Sequence, residues 1–87
     1  MGSSMEPTLS PGDFVLTLPR PIEPGFVYVV VHPRLGRMVK RLGARGELLS
    51  DGEGAEPERL GPVGECEVLG RAVLAIRPRG LARLRRR

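Results

Sequence analysis

Asparagine, glutamine and tryptophan are missing from these 87 residues, and lysine, histidine and cysteine occur once each. Each scarcity excludes something. The lone Cys66 rules out an internal disulfide and gives no sign of an oxidising compartment. No cluster of Cys, His and carboxylate stands at ligand spacing, so no metal is expected. No glycine-rich phosphate loop is present, and no cofactor is expected either. The chain has no run of ~18 apolar residues that would cross a bilayer. Its first residues lack the charged-then-apolar pattern of a secretory signal. The expected location is therefore cytoplasmic or peripheral to a membrane. Phe14, Phe26 and Tyr28 are the only aromatics, so the core must be aliphatic and thin. The missing amides suit a thermophile, although a GC-rich genome would also favour Arg, Gly, Pro and Ala.

What is present is arginine, proline and glycine. Thirteen of the 14 basic residues are arginines, with Lys40 the exception. Nine prolines and 12 glycines cut the chain into short pieces, which suits strands and turns. The length allows one domain with one core. Residues 1–76 carry eight basic and all ten acidic side chains, whereas residues 77–87 carry six arginines and no acid. The basic balance thus belongs to the end of the chain. We expect a mostly β domain over residues 1–77 and an arginine-rich tail over 78–87, of which Leu81–Arg87 forms a short basic helix or stays disordered.

Residues 4–13 have no periodicity and read as an ordered turn region, with Ser10-Pro11-Gly12-Asp13 a good β-turn. Strands are expected over 14–18, 26–32, 37–42, 47–49 and 66–76. Hairpin turns fall at Pro33–Gly36 and Gly43–Gly46, and residues 55–64 read as irregular or edge structure. Gly70 marks a bulge or a close backbone approach in the last strand. Because side chains alternate along a strand, Arg37, Val39 and Arg41 share one side, and Met38, Lys40 and Leu42 the other. The only lysine therefore sits on an apolar face. An exposed lysine is neutral in only about one molecule in ~2,500 at pH 7. Burial disfavours its charged form and can bring its pKa to roughly 5–6. Arginine stays charged in proteins and cannot serve as a base. A serine hydroxyl needs such a base before it becomes a nucleophile. The competing reading of Lys40 is a strand lysine that snorkels to solvent.

Four stretches in order, SMEPTL followed by PGDFVL, then MVKRLGARGELLSD, then VLGRAVLAI, resemble the bacterial signal peptidase I family and the related self-cleaving peptidase domain of LexA-type repressors. The similarity runs from about Gly2 to Arg77, and the 36-residue separation of Ser4 and Lys40 is closer to the repressor type. The resemblance implies the β-fold that these peptidases share. It implies Ser4 as nucleophile, Lys40 as general base, and hydrolysis of a peptide bond in an extended polypeptide substrate. Ser50 matches a loop position near the lysine, where it would support the dyad. Asp13 matches a structural position that holds the nucleophile turn. Met5, Met38 and Val39 are the expected substrate-binding residues, on the premise that substrate lies extended beside the lysine strand. With so little chain ahead of Ser4, cleavage of an upstream bond in the same chain is not expected. Gly2 stands where many signal peptidases carry a hydroxyl that assists the oxyanion.

The alternative is a non-catalytic β module that dimerises or binds a protein partner. A homodimer is open on either reading. His32, before a proline at a strand end, reads as a hairpin residue rather than half of a catalytic pair, and Cys66 as a buried packing residue. The arginine tail is a solvated terminus, or a contact for acidic phospholipid, or a non-specific contact for nucleic acid. Nucleic acid ranks last, because no recognition helix or stacking aromatic accompanies it.

Overall fold

Among the described residues, every regular element of any length is a strand. The computed structural model describes residues 5, 8–10, 12–51 and 60–87. β1 (Phe14–Leu18), β2 (Val27–His32), β3 (Gly36–Leu42), β4 (Leu48–Leu49), β5 (Glu67–Arg77) and β6 (Gly80–Arg83) form one antiparallel sheet. A single 3-10 turn, Val63–Glu65, precedes β5. No helix among the described residues is long and apolar enough to cross a membrane. The expected strands are all present, with ends shifted by a residue or two. Most of the stretch 55–64 lies outside the described residues.

β5 organises the sheet. β1 lies along one edge of it, while β2 and β6 follow one another along the other. Two register shifts make this possible, one between Leu16 and Thr17 of β1 and one between Val29 and Val30 of β2. In each, β5 holds one more residue than its partner, as in a β-bulge, and such bulges bend a strand and increase its twist. Gly70 lies next to one of them. A side chain there would begin 3.0 Å from Thr17 Cβ, so the close approach and the bulge occur together.

Alternation sorts the apolar residues onto two faces. Val27, Val29, Val39, Ala72 and Ala75 form one core, closed by Met5 and Leu9 from the N-terminal stretch and by Leu84. Tyr28, Val30, Leu42 and Leu48 form the other, closed by Leu60. Phe26, Met38, Val63, Cys66 and Val68 pack on its margin. Cys66 is thus half-buried rather than fully so, and burial, with help from the Glu65 charge, pushes its thiol up.

One expectation needs correction. Residues 78–87 are not a free tail or a helix: β6 pairs with Leu74–Arg77, Leu84 donates to Val73 O at 3.0 Å, and Leu84 is buried. Pro78 turns the chain without ending the domain, because β5 leaves an unpaired edge that Gly80–Arg83 fills. The side of β3 opposite Lys40 is covered toward its end. Arg37 is exposed, but Val39 and Arg41 are both buried, because the N-terminal and C-terminal segments cover that end of the sheet.

Candidate functional site

Lys40 and Arg41 are consecutive residues of β3, pointing to opposite faces, and both are nearly inaccessible at 5% and 6% exposure. Lys40 sits across from Tyr28. Its Nζ donates to Ser50 Oγ at 2.9 Å. The β3–β4 register, which pairs Arg41 with Leu49, brings the residue after Leu49 alongside Lys40. Ser50 is thereby delivered to the amine by a hairpin whose glycines, Gly43 and Gly46, close on each other through Gly46 N–H to Gly43 O at 3.1 Å.

Arg41 meets the next residue, Asp51. Its Nε and Nη2 donate to the two carboxylate oxygens at 2.8 and 2.6 Å, a bidentate pair. The same carboxylate accepts from Thr8 Oγ1 at 2.5 Å and pairs with Arg87 at 3.0 Å. Arg41 Nη1 also donates to Gly25 O and Arg85 O. One carboxylate therefore joins the N-terminal stretch, the lysine strand and the C-terminal segment. Burial alone would raise the Asp51 pKa. The hydrogen bonds from Arg41 and Thr8, with the Arg41 and Arg87 charges, outweigh it and hold the carboxyl below its ordinary value. Gly25 lets this happen. Its φ is +93°, and a Cβ there would come within 2.7 Å of Arg86 Cγ and Arg87 O.

Of the residues singled out in the sequence, Lys40 and Ser50 come together. Ser4 lies outside the described residues, and so does Gly2. Met5, which follows Ser4, and Val39, which precedes Lys40, are both buried members of one core cluster, so their side chains are packing residues. Met38 is half-buried on the other face. Asp13 holds the turn: it accepts from Ser10 N–H at 3.0 Å and from Arg77 Nε at 3.1 Å. The Ser10 amide foremost, and then Arg77, lower its pKa against a smaller effect of burial. Arg77 also donates to Thr8 O at 2.6 Å, a second tie on the N-terminal stretch.

His32 is buried, with Nδ1 accepting from the amides of Arg34 and Leu35, so its proton is on Nε2, 2.8 Å from Leu60 O. It is a structural histidine that ties the hairpin to Leu60. No group of three or more His, Cys, Asp and Glu suited to a metal occurs among the described residues.

Beside Lys40, one edge of β3 is paired only in part among the described strands. Leu42 N–H and C=O are taken by Phe26 O and Gly25 N–H on the β2 side. Alternation then turns the amides of Arg41, Val39 and Arg37 the other way. Arg41 is paired there with β4, whereas Val39 and Arg37 meet none of the described strands. A cavity of about 390 Å³ lies nearby, lined by Ser50, Asp51, Arg86 and Arg87 among others, but Lys40 does not line it.

The triad of Thr8, Asp51 and Arg87 around Arg41 is what reading the sequence missed. Asp51 follows Ser50 directly, yet nothing in its spacing marks it as buried. Comparison with family models, with curated proteins and with solved structures finds no match for this chain.

Proposed function

We propose that the chain is a serine endopeptidase with the β-fold of signal peptidase I and LexA-type peptidases, in which Ser4 is the nucleophile and Lys40 the general base. The observation that carries this reading is the only lysine of the chain, buried, with its amine on a serine hydroxyl. A hydroxyl can accept from an ammonium or donate to a neutral amine, so Ser50 holds Lys40 in either state.

The steps balance as follows. Lys40 Nζ takes the proton from Ser4 Oγ as the oxygen adds to the scissile carbonyl. The tetrahedral oxyanion is held by backbone N–H groups, that of Ser4 among them. Collapse breaks the C–N bond, and the Lys40 ammonium returns the proton to the leaving amine. Water then gives a proton to Lys40 as its oxygen adds to the acyl carbon; collapse breaks the bond to Ser4 Oγ, which takes that proton back, and the carboxylic acid product leaves. Substrate lies extended along β3 and bonds to the main chain of Val39 and Arg37, as an added strand. Met5, Met38 and Val39 act behind this strand as packing, not as open specificity pockets.

Peptide cleavage by the wild-type chain, Ser4→Ala and Lys40→Ala tests the proposal. Loss of cleavage in both variants, with unchanged thermal melts, supports it. Equal rates in all three, or none in the wild type, would leave a non-catalytic β module.

A further inference from the structure

The far end of the sheet from Lys40 carries an uncovered apolar surface. Phe14 is paired across the sheet with Ile76, and Ile76 with Leu81, so the three form one row over β1, β5 and β6. The next row on the same face is Leu16, Leu74 and Arg83. Phe14 is 74% exposed and Leu81 68%, and Leu16 and Ile76 are exposed as well. On the opposite face of these strands, Val15, Ala75 and Ala82 turn into the core, whereas the outward rows belong to neither core cluster of the described residues.

Charge identifies the occupant. Arg83 stands within the second row and Arg79 in the turn beside the first, while residues 68–87 contain no acidic side chain. Asp13, the acid beside Phe14 in the chain, is engaged by Arg77. A second copy in a two-fold contact would bring together two patches that carry arginines, with no acid from residues 68–87 to offset them. A bilayer surface containing anionic lipid instead accepts apolar side chains below the headgroups and guanidinium groups at the phosphates. We infer that the Phe14–Ile76–Leu81 row, flanked by Arg79 and Arg83, docks the domain on an anionic membrane surface. This inference stands apart from the peptidase reading.

Deleting residues 78–87 would remove β6 and Leu84 from the fold, so the test uses surface substitutions. The 87-residue chain is sedimented with vesicles of phosphatidylcholine, with and without phosphatidylglycerol. Binding is expected only with phosphatidylglycerol and falls as salt rises. Phe14→Ser with Leu81→Ser lowers the partition coefficient on the order of tenfold per side chain. Arg79→Ser with Arg83→Ser lowers it roughly fivefold per arginine. Thermal melts check that both double variants remain folded. No binding by the wild type, or unchanged binding by the Phe14/Leu81 variant, overturns the inference. So does a concentration-dependent dimer that the same variant dissociates, which would make a second copy the occupant.

Discussion

Lys40 and Arg41 are neighbours in sequence, equally buried, and yet surrounded in opposite ways. Arg41 meets a bidentate carboxylate, two carbonyls and, through Asp51, two further segments of the chain. It is charged, and all three of its guanidinium nitrogens donate hydrogen bonds. Lys40 meets a serine hydroxyl that can follow either protonation state. Burial of a cation is therefore not by itself a sign of chemistry. The sign is whether the partner commits the group to its charge. On one face of β3 Asp51 does so, and the result is a clamp; on the other, Ser50 accepts from Lys40 without bringing a charge of its own.

The largest effect should come from breaking the clamp. Asp51→Ala leaves the Arg41 charge buried without its carboxylate, and is expected to cost about 3–5 kcal/mol in urea denaturation. Lys40→Met should separate the two faces. It places an apolar chain of similar length between Met38 and Leu42, so its stability change should be under ~1.5 kcal/mol. Peptide cleavage should nevertheless fall by about 10²–10⁴-fold. A Lys40→Met variant as unstable as Asp51→Ala would make both cations structural.

The pH dependence sharpens the same contrast. The folded Asp51 carboxyl sits below its ordinary value, so the unfolded chain binds its proton first as pH falls. Its contribution is then complete above roughly pH 5, and drains away as pH drops through the folded value. Asp51→Asn should flatten the acid limb of a stability-versus-pH curve. Asp13, lowered in the same direction, leaves a residual slope. An unchanged acid limb would show that the Arg41 clamp is not what acid dissolves.

Two smaller effects remain. Gly25→Ala forces a side chain into a positive-φ position against Arg86 and Arg87. It should cost about 1–3 kcal/mol and loosen the C-terminal segment, read as faster amide exchange at Arg87. Ser50→Ala removes one hydrogen bond, about 0.5–1.5 kcal/mol of stability, and should reduce cleavage less than Lys40→Met does. A Ser50→Ala variant that loses cleavage as fully as Lys40→Met would put Ser50 in the reaction itself.

The strands, the turns, the special position of Gly70 and the side of β3 on which Lys40 lies were all legible in the linear chain. They follow from local rules: alternation, β-branched runs, and Pro and Gly at turns. The same alternation grouped Arg41 with Arg37 and Val39 but did not show that it is buried. A two-residue period says which residues share a face, but it cannot say whether a distant segment covers that face. The arginine-rich end misled for a related reason. Six positive charges read as solvated until β5 offers β6 an edge, Leu84 a core and Arg87 a carboxylate.

Composition and periodicity alone thus determined a β domain with one unusual amine, because both depend only on neighbours along the chain. Only the folded chain decided that this amine meets Ser50, that Asp51 joins three segments, and that Phe14 and Leu81 share an open row. Those facts depend on register between strands far apart in sequence, and on which surfaces the termini cover after the sheet has formed.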